Sequence, residues 1–190
     1  YKKVVKLKPD SDDAFHNIGK IFMNRNNLEQ ATENFENAVK INPSRFDTLY
    51  LLGLTLKTEG KPDAAIEKCR EAIKLKSDYV QAYNVIGEIQ RQRGDLEEAL
   101  KTHNSALEID PKNFMAYNHL GLVKYNLGNL DASTKDLTRA ITLNPKLAES
   151  HMNLGCVLRA NRSLDASIQS FQDALAINPE YKLAHWNQAL

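Results

Sequence analysis

The stretch VQAYNVIGEIQRQRGDLEEALKTHNSALEIDPKN, residues 80–113, decides the fold, because near copies of it fill the chain. Tyr83, Ile86 and Gly87 are spaced as residues on one face of a helix. Gly94 follows, and glycine readily takes the left-handed backbone that ends helices. A second helix is expected after it, with an apolar face made of Leu96, Ala99, Leu100, His103, Ala106 and Leu107.

The limits of this second helix can also be predicted from the sequence. Asp95 is the predicted N-cap residue, and Glu98 after it completes the pattern of a capping box. Pro111 cannot continue a helix, so we expect the chain to turn there into the next unit. The stretch therefore predicts a pair of antiparallel helices.

The unit recurs along the chain with a step of 34 residues. Five glycines keep this step, and prolines keep it with one exception, Ser77: Gly19, Gly53, Gly87, Gly121 and Gly155, then Pro9, Pro43, Pro111, Pro145 and Pro179. Alanine fills one further position in every unit, as Ala38, Ala72, Ala106, Ala140 and Ala174. A period of this size predicts a repeat protein instead of a closed globule.

Taking Asp12 as the first position divides the chain into units. The five full repeats are 12–45, 46–79, 80–113, 114–147 and 148–181, flanked by the second half of a repeat at 1–11 and the start of another at 182–190. We expect a single all-α array of stacked helix pairs. Because neither end has the polar capping element that such arrays need, we also expect a fragment of a longer chain.

Composition excludes several classes of function. The net charge is +1, with no clustered basic excess, so we expect no nucleic-acid partner. No apolar run approaches the ~18 residues of a membrane span, and no signal peptide opens the chain. Cys69 and Cys156 lie in different repeats, which argues against a disulfide and favours a reducing, cytoplasmic location.

The chain has no pattern that is typical of catalysis. It lacks the CxxC, HExxH, P-loop and dinucleotide-loop motifs, and no general base accompanies Cys156. His119 is expected to approach Cys156, but two ligands fall short of the four in a closed zinc site. We therefore expect no enzyme activity, no cofactor and no metal.

The order of residues within a unit resembles the tetratricopeptide repeat (TPR). A large residue precedes Leu-Gly or Ile-Gly, and alanine, an aromatic residue, alanine and proline follow: Phe15, Ile18, Gly19, Ala31, Phe35, Ala38 and Pro43 in the first unit, Tyr117, Leu120, Gly121, Ala140 and Pro145 in the fourth. Cys69 and His103 replace the aromatic residue. Asn26 and Arg162 stand where other units have a turn glycine, and Arg162 is expected to make the fifth repeat turn differently, through Asn161.

The resemblance implies a right-handed superhelix, a solenoid in which the first helix of each repeat lines a concave groove. Such a groove usually holds an extended peptide or a partner helix. Carried onto this sequence, it gives the predicted ligand-binding residues Asn17, Tyr50, Asn84, Met115, Asn118, His119, Leu122, Tyr125, Met152, Asn153, Trp186 and Asn187. The Lys, Arg and Asn arrangement of chaperone-binding carboxylate clamps is absent, so that partner is disfavoured.

Asparagines recur in this set, and an amide can donate and accept hydrogen bonds at once. The series Asn17, Asn84, Asn118, Asn153 and Asn187 resembles the asparagine ladder of O-linked GlcNAc transferases, where amides grip a peptide backbone. The Met, Tyr and Trp residues would then select side chains. On this interpretation Asn118→Ala weakens binding and leaves folding nearly intact.

Three other functions remain open at this point. The chain could be the substrate-recruiting arm of a larger enzyme, such as a glycosyltransferase. It could be an architectural array that self-associates through uncapped ends. Single-stranded RNA binding is disfavoured, because the predicted groove charges balance. The leading hypothesis is a protein or peptide-binding module.

Overall fold

The structure, a computed structural model, describes residues 11–182. Within that range it consists of ten helices that alternate as first and second members of helix pairs, and it has no strand. The helices are α1 Asp12–Asn24, α2 Leu28–Ile41, α3 Phe46–Thr58, α4 Pro62–Leu75, α5 Val80–Arg93, α6 Leu96–Ile109, α7 Phe114–Asn126, α8 Leu130–Leu143, α9 Ala148–Ala160 and α10 Leu164–Ile177. The all-α helical-repeat fold predicted from the period is confirmed.

The chain divides into two compact units between Ile89 and Gln90, inside α5. In the N-terminal unit α1 packs on α2, α2 on α3 and α3 on α4. In the C-terminal unit α6 packs on α7, α7 on α8, α8 on α9 and α9 on α10. Within each unit the first helices of successive repeats also touch, α1 with α3 and α7 with α9.

The recurring glycine allows the two helices of a repeat to approach closely. A Cβ built on Gly121 would lie 2.6 Å from Leu137 Cγ, and one on Gly155 would lie 2.5 Å from Phe171 Cε1. Real Cβ atoms do not come this close to a neighbour, so any other residue would force the contacted side chain or the helices themselves to shift. The recurring alanines in the second helices are fully buried, as expected for packing residues: Ala38, Ala72, Ala106, Ala140 and Ala174.

Serine strengthens the helix pair in the last two repeats. Ser133 and Ser167 are buried where the first three repeats have alanine. The Ser133 hydroxyl donates to the Gly121 carbonyl at 2.7 Å, and the Ser167 hydroxyl donates to the Gly155 carbonyl at 2.8 Å. Both bonds join the two helices of one repeat at the point where they lie closest.

The turn inside each repeat has one geometry throughout. Its central residue has a positive φ, at Asn26 (55°), Gly60 (75°), Gly94 (87°), Gly128 (79°) and Arg162 (60°). The next residue donates its backbone N–H to the carbonyl five residues earlier, at 2.9–3.0 Å, which is the Schellman bond that closes a helix end. The expectation that the fifth repeat turns differently is wrong, because Arg162 itself takes the left-handed conformation and Asn161 does not (φ −82°).

The predicted capping box of α6 is also wrong. Asp95 is the N-cap residue, but its side chain makes no capping hydrogen bond. Its own backbone N–H already donates to the Gln90 carbonyl at 2.9 Å to close the turn. That N–H is the donor that Glu98 would need in a capping box, so the turn geometry excludes the motif.

Candidate functional site

The predicted ligand-binding residues of α7 occupy one face of that helix and differ widely in exposure. Met115 and Leu122 are two turns apart, so they lie along nearly the same line, and both are half-buried. Asn118 flanks this line on one side and is fully buried, whereas His119 flanks it on the other and is 5% exposed. Neighbouring helices therefore cover the edges of the face and leave its centre accessible.

The buried amide of Asn118 is held by α9 of the following repeat. Its Oδ1 accepts from the Ser150 hydroxyl at 2.9 Å and from Asn153 Nδ2 at 3.1 Å. Its Nδ2 donates to Glu149 Oε1 at 3.1 Å. We call these four residues the Asn118 network. The Asn118 amide therefore makes three of the four hydrogen bonds open to it. Asn118 and Asn153 join two repeats, and their amides do not face a ligand.

An equivalent network joins the first two repeats. His16 stands at the position of Asn118 in its own repeat, and its Nδ1 shares a hydrogen bond of 2.8 Å with Thr48 Oγ1. Its Nε2 lies 3.8 Å from Asp47 Oδ2. Thr48 and Asp47 correspond to Ser150 and Glu149. Burial and the nearby Arg45 guanidinium lower the pKa of His16, and the Asp47 carboxylate partly opposes this.

His119 faces α6 and stacks on a second histidine. The rings of His103 and His119 are 5.1 Å apart between centroids and inclined by 20°. The thiol of Cys156, which the sequence predicts to lie near His119, is 3.7 Å from the thioether sulfur of Met152 in its own helix. Within residues 11–182, no three His, Cys, Asp or Glu side chains are close enough to share a metal ion.

The side chains that remain accessible on α7 and α9 are mostly apolar. We give the name apolar strip to five of them: Met115, Leu122, Tyr125, Met152 and Cys156. Tyr125 is 37% exposed and the others are half-buried. Burial raises the pKa of the Cys156 thiol, although the Arg159 guanidinium partly opposes this. The strip therefore presents sulfur, aliphatic and aromatic surface.

In the N-terminal unit the predicted residues are all half-buried. Asn17 Nδ2 donates to the Asp13 carbonyl of its own helix at 2.7 Å. The Tyr50 ring packs edge-on against Tyr79, with centroids 5.2 Å apart. Asn84 lies on α5. The remaining two predicted residues, Trp186 and Asn187, lie outside the described range.

In the N-terminal unit, two cations near the first helices are paired with acidic side chains. Arg45 contacts Asp12 at 3.2 Å, Asp13 at 2.5 Å and Asp47 at 3.1 Å. Lys57 of α3 pairs with Glu88 of α5. These groups satisfy each other inside the protein, so the contribution they could make to a charged ligand is reduced.

Sequence reasoning missed the partners in these networks. Ser150, Thr48 and Arg45 were not among the predicted residues. A signal was present, because polar residues stand at matching repeat positions in His16 with Thr48 and in Asn118 with Ser150. Only the structure shows that these positions face each other across repeats.

Helix pairs with a glycine at their closest approach and a positive-φ turn define an α-helical repeat protein. Family models described as "TPR repeat" match residues 19–60 and 87–128, and models described as "Tetratricopeptide repeat" match 46–79 and 119–182. The chain belongs to the tetratricopeptide repeat family. Among curated protein sequences, none matches the chain significantly.

Solved structures with the same fold include several TPR proteins. TTC0263, a protein of Thermus thermophilus, is 23% identical with a TM-score of 0.82, and the match covers 94% of this chain and 97% of that one. A chain of the APC/C hetero-tetramer Cut9-Hcn1 is 20% identical with a TM-score of 0.91, and the match covers 99% of this chain and 38% of that chain. YrrB, described as "a TPR protein with an unusual peptide-binding site", is 17% identical with a TM-score of 0.65, covering 100% and 97%.

No helix within residues 11–182 is long and apolar enough to cross a membrane.

Proposed function

We propose that this TPR chain binds an extended segment of a partner protein along its first helices, and that apolar contacts supply most of the affinity. The observation that carries the proposal is the apolar strip, whose five side chains stay accessible although their neighbours on α7 are buried. Accessible apolar side chains gathered on one surface are typical of protein-binding sites. The peptide-binding site named for the similarly folded YrrB supports a peptide as the occupant.

The burial of Asn118 and Asn153 changes how the partner would be held. Asn118 of α7 and Asn153 of α9 are the members of the predicted asparagine ladder on these two helices. Because both are bonded within the Asn118 network, their amides are not available to grip a peptide backbone. Recognition then depends on which apolar side chains of the partner fit against Leu122, Tyr125 and Met152. Such a site selects side-chain shape more than it grips the peptide backbone.

The paired charges of the N-terminal unit argue against recognition of a charged segment in that unit. A carboxylate clamp needs cations that are free to meet a ligand, but Arg45 already contacts three aspartates and Lys57 contacts Glu88. A partner that relied on ion pairs would have to displace these contacts. An apolar segment would leave them intact.

The test is a random peptide library panned on the whole chain, followed by affinity measurements on the enriched peptides. Tyr125→Ala removes exposed ring surface from the strip, and Leu164→Ala removes a comparable side chain from α10, where Leu164 is 60% exposed. We expect peptides rich in aliphatic and aromatic residues that bind Tyr125→Ala at least ~10-fold more weakly, because a large aromatic contact contributes more than about 1.4 kcal/mol. Equal loss with Leu164→Ala, or no loss with Tyr125→Ala, would place the site elsewhere.

A further inference from the structure

His103 is buried in a way that no other described histidine is. Its side chain is 0% exposed, and neither ring nitrogen has a hydrogen-bond partner among the residues that the structure describes. His16, also buried, bonds to Thr48, and His151 has the Pro145 carbonyl 3.0 Å from its Nε2. A neutral imidazole must carry one N–H, so His103 already buries an unsatisfied donor.

The location of His103 gives this burial a structural consequence. His103 belongs to α6, the second helix of its repeat, and it stacks on His119 of α7, the first helix of the next repeat. The stacked pair therefore lies at a junction between repeats, where a helical array is held only by contacts between neighbours.

We propose that the stacked His103–His119 pair makes the junction between α6 and α7 an acid-sensitive point, at which the array opens locally when the pH falls below about 6.5. A proton on His103 would add a second unsatisfied N–H and a positive charge in an apolar environment. The junction relieves both by separating, because water then solvates the imidazolium ring.

The charged and titratable groups that face His103 all act in the same direction. From α5 the Arg91 guanidinium repels a proton on His103, and from α7 the stacked His119 does the same. No carboxylate is among the groups that act on it. Burial, with these two neighbours, lowers the pKa of His103 to about 3.

The sign and size of the effect follow from proton linkage. The open state, with an ordinary histidine pKa of 6.5, binds more protons than the closed state between pH 6.5 and about 3, so closure weakens as the pH falls through this range. The equilibrium constant for opening is roughly 30-fold larger at pH 5 than at pH 7.5. That factor corresponds to about 2 kcal/mol.

Opening would also disturb the apolar strip, since α7 carries three of its members. This consequence rests on the proposed function, but the opening itself does not. A measurement of opening without any ligand therefore tests the acid-sensitive junction independently of peptide binding.

The experiment is hydrogen exchange with mass spectrometry on the whole chain at pH 7.5 and pH 5.0, corrected for the intrinsic pH dependence of exchange. The variants are His103→Leu and His103→Phe, which introduce the residues found at this repeat position as Leu137 and Phe35. His151→Gln is the matched control, since it removes a histidine that has a carbonyl partner. Peptides from α9 and α10 serve as the internal reference.

For the wild type we expect the opening constant of α6 and α7 amides to rise about 30-fold at pH 5.0, with a smaller change in α9 and α10. His103→Leu and His103→Phe should reduce this rise to a few-fold, whereas His151→Gln should leave it unchanged. A rise that is uniform across all helices, or one that persists in both His103 variants, would overturn the proposal. If neither variant folds, an NMR titration of wild-type His103 decides: titration near pH 6.5 in the folded chain would refute it, and titration below pH 4 would support it.

Discussion

Replacing Asn118 with alanine is the sharpest test of the inter-repeat network. The sequence predicts that this change leaves folding nearly intact, because it assigns Asn118 to the ligand-binding groove. In the structure Asn118 is 0% exposed and makes three hydrogen bonds to the next repeat. The variant should therefore be clearly less stable than the wild type.

The magnitude follows from the bonds that are lost. The contacts with Ser150 and Asn153 are between neutral groups and contribute about 1 kcal/mol each. The bond to the Glu149 carboxylate contributes about 1.5 kcal/mol, the low end for a charged acceptor, because Glu149 is half-buried. Asn118→Ala should therefore lower the free energy of unfolding by about 3.5 kcal/mol, which is roughly a 400-fold change in the equilibrium.

The assay is urea unfolding followed by circular dichroism, with Asn17→Ala as the matched control. Asn17 is half-buried and its amide bonds only within its own helix, at 2.7 Å, so its loss should cost less than about 0.5 kcal/mol. A double-mutant cycle with Ser150→Ala should give a coupling energy of about 1 kcal/mol. If Asn118→Ala unfolds within about 0.5 kcal/mol of the wild type, the range of ordinary surface substitutions, then the Asn118 network does not hold the repeats together.

Three further predictions concern packing, the turn and the ligand surface. Gly121→Ala should lower the free energy of unfolding by about 1–3 kcal/mol, because its Cβ would lie 2.6 Å from Leu137 Cγ. Adding Leu137→Ala removes the contacted side chain, so the double variant should lose less stability than the sum of the two single variants. Strict additivity in urea unfolding would contradict this explanation of the packing. Arg162→Gly should raise the melting temperature, since glycine relieves about 1 kcal/mol of left-handed strain at φ 60°, whereas an unchanged or lower value would show that Arg162 is unstrained. The affinity for a selected peptide should change less than ~3-fold between about 0.05 and 0.5 M NaCl, because screening weakens charge pairs and leaves apolar contacts intact; a steep loss measured by fluorescence anisotropy would indicate ionic recognition.

The period predicted the fold well because it reports a repeated physical requirement. Only a small residue fits at Gly121 and Gly155, where two helices meet, or at the fully buried sites of Ala106 and Ala140. The same residue type therefore recurs at each of these positions in every unit. The turn of the fifth repeat was missed because Arg162 breaks the pattern in sequence but not in conformation. A repeat imposes its backbone geometry even on a residue that disfavours it.

The candidate site was harder to predict, because neighbouring positions on one helix face have different environments. Asn118, His119 and Leu122 all lie on the predicted binding face of α7. Asn118 is covered by the next repeat, His119 by the preceding one, and Leu122 stays accessible. Burial here depends on what the adjacent repeat places opposite, such as Ser150 or His103, and a single-repeat pattern does not contain that information.

The native cysteines offer a direct measurement of where a ligand binds. Cys156 is a half-buried member of the apolar strip, whereas Cys69 is 0% exposed and burial raises its pKa to about 12. Cys156 is therefore expected to be the reactive thiol of the folded chain, and Cys69 the protected one. Alkylation can be followed at each site by mass spectrometry at alkaline pH, with and without a saturating selected peptide.

If the partner segment lies along the apolar strip, the peptide should slow alkylation of Cys156 by at least ~10-fold, as expected for a site covered most of the time, and leave Cys69 unreactive in both conditions. Alkylation of Cys156 at the same rate with and without bound peptide would contradict the central claim that α7 and α9, the first helices of their repeats in the C-terminal unit, form the binding surface.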